Sequence, residues 1–274
     1  MSDATSSDYT PWSPADAARH IEIPGANDDK YSRGVLGVVT GSDQYPGAAV
    51  LGVEAALRTG VGMVRFLGGE RVSTLVLQRR PEAVASDGRV QAWLIGSGTD
   101  HANREADAEK AVDTALGQSL PTILDGGALE RVHEVTGPTI ITPHFRELGR
   151  VLQVSPDEIA NDPAVWALRA SEKLQVTVLL KGHRTYVAGG GVLLSAAHAP
   201  AWLATAGAGD ALAGILGALV STHADATDLA SVAAAAAWIH GEAARRASDG
   251  GPFVILDLCA AIPGVVRDLA TMSA

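Results

Sequence analysis

Short apolar runs alternate along the chain with stretches of helical periodicity. VLGVV at 35–39 predicts a strand, and GAAVLGVEAALRTG at 47–60 predicts a helix, with Glu54 and Arg58 at i,i+4 spacing and Gly60 as its stop signal. MVRFLG, AWLIG, TILDG, TIITP and VTVLLKG follow as further strands, and most are apolar throughout instead of alternating. Continuous apolar runs imply burial on both faces, as in a parallel sheet sandwiched between helices. TYVAGGGVLLSA at 185–196 reads as an antiparallel hairpin around Gly189, Gly190 and Gly191. Helices are predicted from about 209 to 221 and over 228–248, and LDLCAAIPGVVRDLA predicts a short terminal helix or a pair of them.

Residues 1–30, rich in Ser, Asp and Pro, read as a tail or a wrapping arm, and 31–274 as one α/β domain with no internal repeat or splitting linker. With 274 residues and 47% hydrophobic composition, the chain can bury a large core without staples. The formal net charge of −10 gives no basic footprint, which argues against nucleic acid and toward a small-molecule ligand. The single cysteine, Cys259, excludes an internal disulfide and a Cys-based zinc site, and reads as a core thiol. No run reaches the roughly 18 apolar residues of a membrane span and no secretory h-region opens the chain, so the expectation is a cytoplasmic protein without membrane contact.

Gly and polar residues gather where the apolar runs end: TGSDQYPGAA, IGSGTD, LDGG, TPHFRE and LKGHRT. In an open α/β sheet, ligands bind at the carboxyl ends of strands, so these segments are expected to line one cleft. TAGAGDALAG at 205–214 adds a Gly-rich turn before an apolar helix, and two readings fit it. Asp210 is a helix N-cap, or it is a general base beside an anion hole formed by the amides of Gly207, Ala208 and Gly209. Gly47, Ala48 and Ala49 form either an ordinary tight β–α turn or a surface that lets a ligand approach the backbone. His144 beside Glu147 is a structural hydrogen-bonding residue or a ligand contact. Lys181, Gly182, Arg184 and Thr185 form a solvated basic loop or meet a nucleotide's phosphates and ribose. Asp125 holds a metal or a water, or satisfies turn amides, whereas His183, His198, His240 and the tryptophans show no local reason to be singled out.

Taken in order, RGVLGVVTGSDQYPGAAVLGVEAALRTGVGMV, LIGSGTD, ILDGGAL, ITPHFRELGRVL, LLKGHRTYV, LATAGAGDALAGILGALV and WIHGEAA resemble the ADP-dependent NAD(P)H-hydrate dehydratases, over roughly residues 30 to 268. These are repair enzymes of the ribokinase-like superfamily. The resemblance implies a three-layer α/β/α sandwich with a mostly parallel central sheet. It also implies removal of water from the S epimer of hydrated NADH or NADPH, with ADP split to AMP and phosphate. Asp210 would then be the catalytic base and Gly207, Ala208 and Gly209 the anion hole. Gly47, Ala48, Ala49, Gly98, His144 and Asp210 would contact the hydrated dinucleotide; Lys181, Gly182, His183, Arg184, Thr185 and Gly209 would contact the adenine nucleotide. Mg²⁺ is expected with the phosphates although no protein ligand set for a metal is evident, the assembly is expected to be a homotetramer, and the companion epimerase a separate chain. The chain departs from the family pattern at GSGTD (usually GPGLG), DGGAL (usually DADAL) and the HAPAWLATAG approach, which usually contains Asn.

Two further functions share these residues. A small-molecule kinase of the same superfamily, acting on a hydroxymethylpyrimidine or thiazole alcohol, would use the same Asp210 but leave phosphate on its product. A nucleotide-binding regulatory protein would keep the fold without turnover.

Overall fold

The computed structural model describes residues 5–99, 106–223 and 228–273, so Asp100 of GSGTD lies outside the described residues. Among the described residues nine strands form one sheet: β1 (Thr10–Pro11), β2 (Val35–Val39), β3 (Met63–Phe66), β4 (Ala92–Ile95), β5 (Thr122–Leu124), β6 (Thr139–Ile141), β7 (Thr177–Leu180), β8 (Thr185–Gly189) and β9 (Val192–Ala196). Their spatial order is β1-β9-β8-β7-β6-β5-β4-β2-β3. Every neighbouring pair is parallel except those made by β8, which runs antiparallel to both β7 and β9.

The continuous apolar runs are explained by the two layers that cover the sheet. Along β2, Leu36 and Val38 face one core while Val35 and Val39 face the other, and β4 divides Ala92 and Leu94 from Trp93 and Ile95 in the same way. One layer contains α1 (Pro14–Ala18), α2 (Pro46–Thr59), α3 (Glu70–Arg79), α8 (Ala208–Thr222), α9 (Leu229–Ser248) and α10 (Ile255–Ser273); the other contains α4 (Ala106–Leu116), a 3₁₀ segment (Gly126–Glu134), α5 (Phe145–Leu152), α6 (Pro156–Asn161) and α7 (Pro163–Leu174). This is the expected three-layer sandwich. The alanine run of α9 is a close helix contact: Ala233 to Ala236 are fully buried in the first core.

Of the short terminal helix or pair of helices expected, the structure shows one continuous helix of 19 residues, with Pro263 accommodated inside α10. The N-terminal segment packs along the sheet edge. Thr10 and Pro11 pair with Leu194 and Ser195, Tyr9 is buried edge-on against Tyr186, and the Tyr9 hydroxyl donates to the Ala164 carbonyl at 2.9 Å. One buried charge ties α2 to α3. Burial alone would raise the Glu54 carboxyl, but hydrogen bonds from Arg80, Arg58 and Arg79 outweigh it and hold the group at about 2. Among the described residues no helix is long and apolar enough to cross a membrane.

Candidate active site

Four successive parallel strands deliver four polar side chains to one place. Ser97 follows β4, Asp125 follows β5, Thr142 follows β6 and Lys181 follows β7. The register continues past the strand ends: the Asp125 N–H donates to the Ile95 carbonyl at 2.9 Å and the Lys181 N–H to the Pro143 carbonyl at 2.8 Å. The sheet itself thus sets the spacing of these groups at its carboxyl edge.

Asp125 is 4% exposed and fully engaged. Its Oδ1 accepts from Lys181 Nζ and from Thr142 Oγ1, each at 2.7 Å, and its Oδ2 accepts from Ser97 Oγ at 2.8 Å. Burial alone would push the carboxyl up, but the Lys181 charge and these three bonds hold it below the ordinary value. The ammonium is correspondingly held above its own ordinary value: burial opposes its charge, and Asp125 and Glu147 outweigh that opposition. Asp125 therefore does not satisfy turn amides; it is the counter-ion of Lys181, held also by two hydroxyls. Among the described residues, no group of three or more His, Cys, Asp or Glu side chains could hold a metal ion.

The TAGAGD turn meets this cluster from the helical layer. Gly207 is the N-cap of α8 at φ 90°, a conformation that favours glycine, and Leu51 Cδ1 would stand 2.6 Å from any Cβ there. Asp210 is thus the third residue of the helix, and its expected role as N-cap is not observed. The Gly209 N–H has no protein acceptor among the described residues, while that of Ala208 turns back to the Thr205 carbonyl at a long 3.4 Å. A Cβ on Gly209 would lie 3.4 Å from Lys181 Nζ, which puts the ammonium directly beside this open helix end. Asp210 is part-buried; burial first, and then the charges of Asp125 and Glu147, push its carboxyl up to about 6 against the opposing pull of Lys181.

Two cavities adjoin the cluster. The first, about 720 Å³, is lined by Lys181, Gly182, His183 and Thr185 on the sheet side and by Thr205, Ala206, Ala208 and Gly209 on the helix side. His144, His198 and His240 complete its polar wall. The second, about 490 Å³, is lined by Gln44, Tyr45, Gly98, Gly126, Gly127, Glu130, Glu147 and Arg150 among others. The cavities adjoin where Lys181 of the first comes within 3.7 Å of Glu147 of the second, and Asp210 feels both charges.

The remaining sequence candidates separate. His144 is the N-cap of α5: its Nδ1 accepts from the Glu147 N–H at 3.1 Å, while Glu147 Oε2 accepts from the His144 N–H at 2.8 Å. The ring is half exposed and also borders the first cavity, so the structural and the ligand-facing readings both describe it. Arg184 is exposed and borders neither cavity. Gly47, Ala48 and Ala49 border neither cavity; Ala49 is fully buried, and Ala48 packs so closely on Gly98 that a Cβ on that glycine, at φ 66°, would lie 2.3 Å from the Ala48 methyl.

Several contributors have no motif. His198 stacks on Trp238 at 5.1 Å, and its Nε2 lies 3.0 Å from the Trp238 carbonyl. Burial pushes the His240 imidazole down to about 4, so the ring stands neutral behind the first cavity. His240 lies in the middle of α9, and His198 follows the antiparallel hairpin strand β9 instead of one of the parallel strands that deliver the cluster, which is why spacing gave no signal. Ser97 and Thr142 did carry one: each closely follows an apolar run, as Asp125 and Lys181 do.

The family model for NAD(P)H-hydrate dehydratase matches residues 36–259. The chain is 40% identical over 266 residues to the bifunctional NAD(P)H-hydrate repair enzyme Nnr of Mycobacterium leprae, covering 91% of this chain and 54% of that protein. It is 31% identical over 240 residues to the ADP-dependent (S)-NAD(P)H-hydrate dehydratase of Bacillus subtilis, covering 82% and 84% respectively. The chain therefore spans about half the length of the first of these curated relatives and most of the second. Its fold matches the crystal structure of the B. subtilis ADP/ATP-dependent NAD(P)H-hydrate dehydratase, co-crystallized with ATP/Mg²⁺, at a TM-score of 0.86 and 27% identity, covering 96% of this chain and 99% of that one. Fold, matched span and relatives agree with the ribokinase-like resemblance read from the motifs, and the chain belongs to the NAD(P)H-hydrate dehydratase family.

Proposed function

We propose that this chain removes water from the S epimer of hydrated NADH or NADPH, coupled to cleavage of ADP to AMP and phosphate. One observation carries the reading: the part-buried carboxylate of Asp210 follows the open helix end at Gly209 and feels the charges of Lys181 and Glu147, which line the first and the second cavity respectively. One cavity takes the nucleotide and the other takes the molecule whose hydroxyl is activated. The names of the relatives support the substrate pair.

In this reading the Asp210 carboxylate takes the proton of the ring hydroxyl as that oxygen bonds to the β-phosphorus of ADP and the bond to AMP breaks. The amides of Gly207, Ala208 and Gly209 and the Lys181 ammonium stabilise the charge that develops on the phosphoryl oxygens. The ring C–O bond then breaks, phosphate departs, and loss of a proton from the neighbouring carbon restores the double bond. Gly182, His183 and Thr185 border the nucleotide. Gly98 borders the hydrated dinucleotide, with Gly47, Ala48 and Ala49 shaping that wall through the contact of Ala48 with Gly98, and His144 lines the first cavity and reaches the dinucleotide only from the side where Lys181 meets Glu147.

Mg²⁺ belongs to this proposal as the companion of the nucleotide's phosphates, whose oxygens are its ordinary ligands in phosphoryl transfer. A cytoplasmic homotetramer completes the reading, and sedimentation of the purified chain tests the assembly.

Incubation with hydrated NADH and ADP is expected to restore the reduced-nicotinamide absorbance, and comparison with ATP and with hydrated NADPH ranks the substrates. No recovery of absorbance, together with ATP-dependent phosphorylation of a small alcohol, would overturn the proposal in favour of a kinase. The base must be ionised to act, so kcat/KM is expected to rise about tenfold per pH unit up to a bend near about 6, where Asp210 titrates, and then to level off. A profile flat down to pH 5 would remove Asp210 from the base role.

A further inference from the structure

The second cavity has one cation among its described lining residues, Arg150, and two carboxylates, Glu130 and Glu147. A helical arginine three residues after a glutamate ordinarily pairs with it. Here Glu147 is diverted: its Oε2 caps the N-terminus of α5 through the His144 N–H at 2.8 Å and lies 3.7 Å from Lys181 Nζ. The Arg150 guanidinium is left with no hydrogen bond or ion pair among the described residues and borders the cavity. Gly98, Gly126 and Gly127 also line this cavity and contribute backbone to its wall.

We infer that Arg150 anchors the pyrophosphate of the hydrated dinucleotide, so that the outer part of the second cavity is a phosphate-ester subsite. The inference rests on the function proposed above and adds where the substrate's charged middle is held. His144 stands at the N-terminus of α5, beside the reacting groups, and Arg150 lies six residues further on. At ~1.5 Å per residue the two are about 9 Å apart along the helix axis, a distance suited to a ribose and a phosphate ester running outward from a ring at the reaction centre. A dianionic group entering a chain of net charge −10 is favoured by a local cation, and a planar guanidinium can engage two phosphate oxygens at once.

The test is calorimetric titration with NADPH, the unhydrated dinucleotide, which reports binding without turnover. Arg150→Gln is expected to weaken NADPH binding about tenfold or more. It should also flatten the decline of affinity with added salt, because a screened charge contact is gone. Arg150→Lys is expected to recover part of the affinity, keeping the charge without the fork. Arg146→Gln, an exposed arginine of the same helix bordering neither cavity, should bind NADPH as the wild type does. ADP affinity should be the same in all, and reduced nicotinamide riboside, which has no phosphate, should not distinguish Arg150→Gln from wild type. NADPH affinity unchanged in Arg150→Gln, an equal loss of ADP affinity, or no NADPH binding by the wild type would each overturn the inference. Failure of the function proposed above shows separately, as absent recovery of absorbance in a protein that still binds NADPH through Arg150.

Discussion

Asp210→Asn is expected to lower kcat by about 10³-fold or more while ADP binding persists or tightens. General-base catalysis accounts for roughly 10²–10⁴ in rate, and the amide cannot accept the proton of an attacking hydroxyl. The substitution is nearly isosteric and lies at the third residue of α8, whose N-cap is Gly207, so no capping bond is lost with it. It also removes a negative charge beside the open Gly209 amide, where a phosphate would otherwise be repelled. Single-turnover absorbance with hydrated NADH and calorimetric titration with ADP measure the two effects. A rate within tenfold of wild type would remove Asp210 from the chemistry. Equal and absent turnover in both proteins, with ADP binding intact, would favour the regulatory alternative over either enzyme.

Much of this site is written in short sequence signals because the sheet converts strand ends into positions. Each of Ser97, Asp125, Thr142 and Lys181 closely follows an apolar run, and parallel pairing of β4, β5, β6 and β7 in spatial order brings them together. The period of the pattern therefore predicted both the burial of the sheet on two faces and the convergence of polar residues at its edge. Two kinds of information did not have that form. The pairing of Asp125 with Lys181 joins residues 56 apart, and local spacing read each separately as a turn residue and a solvated loop. The exposure of Arg150 to the second cavity depends on where Glu147 spends its charge, which is decided by the cap at His144 and by the Lys181 ammonium. The N-cap expected at Asp210 was a similar local preference, overridden because Gly207 alone accepts the left-handed conformation against Leu51.

Lys181→Met is expected to be the most damaging single change to stability in the site. Removing one member of a buried ion pair leaves the other uncompensated, at a cost of about 3–5 kcal/mol. For a chain of this size even the lower figure corresponds to a fall in Tm of about 6–12 °C. The side chains of Lys181 and Asp125 are only 19% and 6% exposed, so water does little to screen the loss. The effect has a defined pH dependence. In the wild type the Asp125 carboxyl is held below its ordinary value, so its contribution is present at neutral pH and lost as pH falls through the folded value. Without Lys181, burial raises that carboxyl instead, and the folded variant is penalised increasingly as pH rises above the unfolded value of about 4. The Tm difference between wild type and variant should therefore be smallest in acid and widen toward neutrality; a difference that stays constant from pH 4 to 7 would show that the pair is not the cause. The double variant Lys181→Met, Asp125→Asn separates stability from chemistry. The neutral amide keeps one acceptor oxygen for one of the two hydroxyls and its NH2 can donate to the oxygen of the other, so most of the Tm should return. Turnover should not return, since the ammonium beside Gly209 is missing from the nucleotide's phosphates, and a double variant with restored rate would show that Lys181 acts only to hold Asp125 in the fold.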